Sequence, residues 1–109
     1  MKQRIETLDN FVFKTKLNEI LDYKLLSWKE IEDEYGVTQK DLKQDALPDD
    51  YYPYDENGFN KKEVAIFVEA FKKAFPDAKI ENEDKYKETS ISIESLEQHQ
   101  VIFSIIAKM

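Results

Sequence analysis

The chain has no cysteine, only two glycines, three prolines and a single histidine among its 109 residues. Without cysteine it has no disulfide, no cysteine-ligated zinc and no thiol nucleophile, a composition that suits a reducing cytoplasm. Two isolated glycines do not make a glycine-rich phosphate loop. One histidine without a cysteine does not allow the usual pairs of nucleophile and base. We therefore expect a protein that is not an enzyme and that uses no cofactor and no metal.

Long apolar stretches are also missing. No run approaches the roughly 20 residues that cross a bilayer, and the first ten residues, MKQRIETLDN, lack the apolar centre of a signal peptide. Hydrophobic residues nevertheless make up 41% of the chain and aromatic residues 13%, more than a disordered chain carries. The sequence predicts one cytoplasmic domain over 1–109 that does not bind a membrane.

Negative charge is abundant and unevenly placed. The formal net charge is −7, and residues 30–56 hold ten acids against only two lysines. A surface of that sign repels a polyanion and attracts a basic protein. Four of these acids lie in 30–34 and have a simpler interpretation, because acids in the first turns of a helix favour the helix dipole.

Helix signals dominate the first part of the chain. Apolar residues at three- and four-residue steps predict a helix near 11–25, which Asn10 would cap. Ser27 followed by Glu30 forms a capping-box pattern, so a second helix should begin at Trp28 and end at Gly36. Thr38 can cap a third, short helix that carries Leu42.

The clearest helix signal comes after residue 60. Asn60 and Glu63 repeat the capping-box pattern, and an apolar stripe follows at helical spacing. The stripe consists of Val64, Phe67, Val68, Phe71 and Phe75. We expect a helix over 61–75 that Pro76 ends.

The period changes after Pro76. In TSISIES, Ile91 and Ile93 alternate with polar residues, as in a half-buried strand. The segment VIFSIIA, 101–107, is apolar on both sides and predicts an inner strand; EQHQ, 97–100, would connect the two, with His99 exposed. AKIE, 78–81, predicts a weaker third strand.

These elements predict an α+β fold. Residues 1–75 form a mainly helical part with N-terminal helices, a helix-turn-helix-like pair and one long helix. Residues 76–109 form a β part with a C-terminal antiparallel hairpin or three-stranded sheet.

The stretch SWKEIEDEYGVTQKDL resembles a winged helix-turn-helix of the excisionase and MerR-like kind, and the resemblance extends over residues 27–75. The matching positions are Ile31, Gly36, Val37, Thr38 and Leu42. DENGFNKKEVAIFVEAF resembles the wing and the helix after it, with Asn57-Gly58 as the tight turn of the wing. The chain departs from the family at Glu32, where a small residue is usual, and at Asp55 and Glu56, where the wing carries bases.

The resemblance implies a DNA-binding regulator that works as a dimer. Its DNA-contacting residues would be Gln39, Lys40, Lys43, Gln44, Lys61 and Lys62, with the lysines on phosphates and the glutamines near base edges. Because few bases lie on this face, the charge of the chain argues against that function.

The stretch LPDDYYPYDENGFN, 47–60, sets four aromatic rings among four acids without a base. The rings could pack on the core with only their polar ends exposed to solvent. Three tyrosines in four positions should, however, leave at least one ring exposed. Tyr51-Tyr52-Pro53 followed by acids resembles the colicin-type nuclease immunity proteins, which press tyrosines and carboxylates on a basic nuclease. The spacing of the acids does not fit a calcium loop, because counting back from Gly58 places Pro53 at its first ligand position.

These observations favour a small acidic protein that binds and inhibits a basic partner such as a nuclease, a toxin or another DNA-binding protein. It would act as an immunity protein or a phage antagonist, with its carboxylates imitating DNA. The predicted partner-binding residues are Asp45, Asp49, Asp50, Tyr51, Tyr52, Tyr54, Asp55 and Glu56. The alternative is the DNA-binding regulator, which would contact nucleic acid directly.

Overall fold

The computed structural model describes residues 13–42 and 47–109. These residues form five helices and one three-stranded antiparallel sheet. The predicted α+β class is therefore confirmed, although four parts of the chain differ from the prediction. No helix in the described part of the chain is long and apolar enough to span a membrane.

The first two helices follow the sequence signals. Helix α1 covers residues 13–21 and buries Leu17 and Ile20; the predicted cap Asn10 lies outside the described residues. Helix α2 (Trp28–Tyr35) begins with the predicted capping box, in which Ser27 Oγ accepts from the Glu30 amide at 3.1 Å and Glu30 returns the bond to the Ser27 amide. Gly36 ends the helix at a φ of 69°, a conformation that glycine adopts without steric cost.

Two predictions between residues 38 and 58 need correction. In the described part of the predicted third helix, Thr38 and Asp41 form a single turn through bonds between each side chain and the other's amide; residues 43–46 lie outside the described chain. The predicted wing turn is also wrong. Residues before it form a short helix, α3 (Pro53–Asn57), which starts with proline at its first position and ends at Gly58. The Asn57-Gly58 pair is thus a helix end rather than a hairpin turn.

The long helix α4 (Lys61–Ala74) is the centre of the core, as its apolar stripe predicts. Asn60 and Glu63 form the predicted capping box. Phe67 and Phe71 have no exposed surface. Burying each such ring contributes about 1.5–3 kcal/mol, so this helix supplies a large share of the stability.

The sheet has the order β1-β3-β2, with β1 (Asp49–Tyr51) and β2 (Ile80–Glu81) on either side of β3 (Ser90–Ile93). Strands β2 and β3 confirm the predictions for AKIE and TSISIES. Strand β1 was not predicted, because its residues Asp-Asp-Tyr carry no strand pattern of their own. It forms through pairing with β3, in which Tyr51 faces Ile91 and Asp49 faces Ile93.

The largest error of the sequence prediction is the C-terminal strand. Residues Leu96–Lys108 form one helix, α5, which includes both the predicted connection EQHQ and the predicted strand VIFSIIA. Ser95 caps it by accepting from the Gln98 amide at 3.2 Å. The predicted pairing of TSISIES with VIFSIIA therefore does not form, and β3 pairs instead with β1 and β2 in the three-stranded antiparallel sheet.

Helix α5 is buried on more than one side, which explains its continuous apolar sequence. Ile102 and Ile105 belong to the core and are at most 2% exposed. On another side, the ring of Phe103 lies 5.1 Å from the ring of Tyr35 in α2. Ser104 is also buried, and its hydroxyl accepts from the Leu26 amide at 2.9 Å, which ties the entry of α2 to α5.

Candidate functional site: an acidic groove with aromatic walls

The rings of the stretch 47–60 divide between the core and the surface. Phe59 is buried and its ring lies 5.9 Å from that of Phe67. Tyr51 is half-buried and its ring lies 5.8 Å from the same Phe67. Both rings therefore pack in or against the core, as expected if the rings of this stretch serve the fold.

The other two tyrosines lie further out. Tyr54 is half-buried and meets Tyr86 edge to face at 5.4 Å, with the Lys87 ammonium 5.5 Å from the Tyr54 ring. Tyr52 is 37% exposed. The prediction that at least one ring of this stretch is exposed is confirmed, and Tyr52 is that ring.

A groove of about 320 Å³ opens beside Tyr51, between α2, α5 and the β1–α3 segment. Its walls include Tyr35 from α2, Phe103 from α5 and Tyr51 from β1. Its carboxylates are Asp49 and Asp50 from β1 and Glu56 from α3. We call this cavity the acidic groove. It brings together four of the predicted partner-binding residues: Asp49, Asp50, Tyr51 and Glu56.

The carboxylates of the acidic groove are exposed and have no cationic partner. Asp49, Asp50 and Glu56 all lie at the surface. None of them takes part in the four ion pairs found among the described residues. Among the residues that the structure describes, no lysine or arginine lines the groove. Its negative charge is therefore available to a ligand from outside the chain.

Tyr51 joins the groove to the core. Its hydroxyl accepts a hydrogen bond from the Asn57 side chain, which lies across the groove on α3. Burial raises the pKa of Tyr51 above its usual value, although the bond from Asn57 opposes that change. The hydroxyl is therefore neutral at physiological pH, and the negative charge of the groove comes from its carboxylates.

His99 is the lining residue that the sequence reasoning missed. It was predicted to be exposed in a turn, but it lies half-buried on α5 and lines the acidic groove. Burial lowers its pKa, while the charge of Asp49 acts in the opposite direction. At neutral pH the imidazole is uncharged and does not compensate the carboxylates. The signal that could have revealed this position is helical: His99 is three and four residues before Ile102 and Phe103.

The predicted residues that lie outside the acidic groove have other surroundings. Asp55 is exposed on α3 and Tyr52 on the turn before it. Asp45, Lys43 and Gln44 lie outside the described residues.

The lysines proposed for DNA binding line separate surfaces. Lys40 and Gln39 line a shallow groove with Trp28 and Lys29. Lys62 lies in the first turn of α4 and lines a different groove, which contains Lys16 and Lys108; Lys61 precedes it in the same turn. The described residues thus do not bring the predicted DNA-binding lysines into one groove.

The groove at Lys62 is the larger cavity, at about 510 Å³. Three lysines and the carboxylates of Glu19 and Glu63 line it. Glu63 is already engaged in the cap of α4. Since its charges are of both signs, this groove does not select a ligand by charge, and the acidic groove is the better candidate site.

Metal binding finds no support in the geometry. Within residues 13–42 and 47–109, no three side chains among His, Asp and Glu are grouped as metal ligands would be.

Comparison with known proteins adds no further constraint. The sequence matches no protein-family model, no curated protein and no solved structure at a significant level. The function is therefore inferred from the residues of the acidic groove.

Proposed function

We propose that this protein is a non-enzymatic binding protein that docks on a basic protein and inhibits it. The partner would be a nuclease, a toxin or another DNA-binding protein, as for an immunity protein or a phage antagonist. The observation that carries the proposal is the acidic groove, where carboxylates stand beside aromatic rings and no lysine or arginine of the described chain pairs with them or lines the cavity.

The segment 30–56, which supplies most of the groove, exposes mainly charges of the same sign. The described part of 30–56 exposes eight acids and one base, Lys40. The acids are Glu32, Asp33, Glu34, Asp41, Asp49, Asp50, Asp55 and Glu56. We call this set of eight the acidic face. Such a surface steers a basic protein toward it and repels DNA.

Inhibition follows from competition. A surface that carries closely spaced carboxylates occupies the cationic site where a nuclease or DNA-binding protein holds phosphates, so DNA is excluded. This action needs no cofactor and no catalytic residue. The absence of cysteine agrees with work in a reducing cytoplasm.

A matched pair of variants tests the proposal against purified basic nucleases and DNA-binding proteins. Asp33→Asn with Asp55→Asn removes two charges from the acidic face, whereas Asp77→Asn with Asp84→Asn removes two exposed charges outside it. By calorimetry at about 0.1 M salt, the first pair should weaken binding about fivefold and the second less than about twofold. Equal losses for both pairs would mean that only the net charge matters, and the docking proposal would fail.

Tyr52 offers a test that does not disturb the core. Because this ring is exposed in the free protein, Tyr52→Ala should leave the melting temperature nearly unchanged. If the ring anchors the partner, the substitution weakens binding by about 2 kcal/mol. The same calorimetric titration measures the loss, and inhibition of DNA cleavage should decline in parallel.

The DNA-binding regulator makes the opposite prediction. It requires duplex binding at low salt that fades as salt rises and that Lys40→Ala weakens. The docking proposal expects no shifted band in a gel at low salt. A shifted band that Lys40→Ala abolishes would overturn the docking proposal in favour of the regulator.

A further inference from the structure

We propose that the acidic groove is the receptor for one arginine side chain of the basic partner. The inference rests on the proposed function and narrows it to a chemical group. Within residues 13–42 and 47–109, this groove combines aromatic side chains with carboxylates and has no lysine or arginine in its lining, whereas the grooves at Lys62 and Lys40 both contain lysines.

The sign of the ligand follows from the lining. The carboxylates come from two neighbouring elements, with Asp49 and Asp50 on β1 and Glu56 on α3. They lie without ion-pair partners in the described chain. A cation that enters the groove can thus replace its hydration shell with carboxylate oxygens, which a neutral or anionic group cannot do.

The shape of the ligand follows from the rings. The rings of Tyr35 and Phe103 belong to different helices, pack on each other with centroids 5.1 Å apart and planes tilted by 35°, and both line the groove. A guanidinium is flat and weakly hydrated, and it stacks on aromatic faces while it donates to carboxylates in its plane. A lysine ammonium is compact and strongly hydrated, and it gains less from such rings.

The groove is large enough for one arginine side chain. Its volume of about 320 Å³ is at the lower end of small-molecule sites. The aliphatic floor formed by Ile102 and Ile106 suits the methylene stem of arginine. The charged head would then lie toward the exposed carboxylates.

His99 gives the site a pH dependence that a plain acidic surface lacks. The charged or titratable groups around it are Asp49 and Asp50 on β1, Glu56 on α3, and the tyrosines of α2 and β1. Neutral His99 leaves the groove negative, whereas protonated His99 adds a positive charge to its lining and repels a second cation. Arginine binding should therefore weaken on acidification before the carboxylates themselves take up protons.

The experiment uses the full chain labelled with ¹⁵N and three small probes followed by NMR. The probes are the Nα-acetyl methylamides of arginine, lysine and citrulline, of which citrulline has the shape of arginine without its charge. Arginine should produce saturable shifts in the amides of β1, α3 and the Phe103 region. Lysine should bind more weakly, and citrulline should cause no saturable shift.

Two variants with the same charge change locate the site. Asp50→Asn with Glu56→Gln alters the groove, and Asp33→Asn with Glu34→Gln alters α2 outside it. The groove variant should weaken arginine binding about five- to tenfold and the control less than about twofold. In His99→Gln, the loss of arginine binding between pH 7.5 and 5.5 should be smaller than in the wild-type chain.

Equal effects of the two variants, or equal shifts with arginine and citrulline, would overturn the arginine site. Failure of the arginine site and failure of the docking function give different results. In one outcome, the chain binds a basic protein, the Asp33/Asp55 variant binds it more weakly, and the arginine probe does not bind the groove. The docking function then stands and the arginine site does not. If arginine binds the groove but no basic protein binds the chain, the groove is a guanidinium site and the docking function fails.

Discussion

The core around α4 and the acidic groove are adjacent regions with opposite physical demands. In the core, Phe67, Phe71, Ile91 and Ile93 have no exposed surface, and no charged side chain is buried among them. In the groove, carboxylates stand at the surface without ion-pair partners in the described chain. The core gains stability by excluding water, whereas the groove keeps charge that no ion pair of the described chain neutralises and that can act on a ligand.

Helix α5 connects these regions. Its Ile105 is buried in the core, and its His99 and Phe103 line the groove. Changes on one side of this helix should therefore alter stability, and changes on the other should alter binding. Four predictions test this division, in order of decreasing effect.

The largest effect is expected from removing α5. Truncation after Gln100 deletes several buried apolar side chains, Val101, Ile102 and Ile105 among them. Burial of each is worth about 1.5–3 kcal/mol, and together they approach or exceed the stability of a small domain. We expect loss of the cooperative thermal transition in circular dichroism. A cooperative melt of the truncated chain would show that the core forms without α5.

Phe67→Ala tests the core side alone. The ring is fully buried, and it contacts the rings of Tyr51 and Phe59. Its loss should reduce the free energy of unfolding by about 3–5 kcal/mol through lost burial and a cavity. Urea denaturation followed by fluorescence measures this change. Phe75→Ala is a control on the same helix, because Phe75 is only partly buried, and it should cost clearly less.

Ser104→Ala tests the tie between α5 and the start of α2. The buried hydroxyl accepts from the Leu26 amide at 2.9 Å and donates to the Gln100 carbonyl at 2.8 Å. Without it, the Leu26 amide loses its partner, which should cost about 1–3 kcal/mol. Faster hydrogen exchange at Leu26 would accompany the loss. A Leu26 amide that exchanges at the wild-type rate would contradict this account.

His99→Gln should have the smallest effect on the free energy of unfolding, and this effect should occur only at acidic pH. Burial lowers the pKa of His99 below its usual 6.5, so the unfolded chain binds the proton more readily than the folded chain. The free energy of unfolding should therefore fall as the pH drops through 6.5 toward the lowered pKa. Urea titrations at pH 7.5 and 5.5 should show a smaller decrease for the variant. An equal decrease in both proteins would assign the acid sensitivity to other groups.

Local signals predicted those parts of the fold that depend on neighbours in sequence. The capping boxes at Ser27 and Asn60 use residues three positions apart, and both are present. The glycine that ends α2 is likewise a local requirement. The stripe of α4 was readable because polar residues such as Glu69 and Lys72 separate its apolar positions.

The same reasoning failed where the pattern has no period. Residues 101–107 are apolar at every position except Ser104, so a buried strand and a buried helix have the same pattern. Strand β1 was missed for the opposite reason. Its two aspartates give no strand signal, and its structure comes from pairing with β3 about 40 residues later.

The candidate site was predictable in its chemistry but not in its geometry. The acids and rings of 47–60 indicated a negative aromatic surface before any fold was known. Tyr35, His99 and Phe103 were not expected there, because they come from helices distant in sequence. His99 was missed because residues 97–100 were predicted as a turn, whereas they lie in α5, which places His99 in the groove.

By itself, the sequence determined the sign of the surface, the caps and ends of α2 and α4, and the apolar stripe around which the core forms. These depend on composition or on residues within a few positions of one another. Only the tertiary structure decided that the last apolar run is a helix, that an acidic segment becomes a strand, and that rings from α2 and α5 meet carboxylates from β1 and α3. Such outcomes depend on which distant surfaces exclude water together, and that information is not present in any short stretch of the chain.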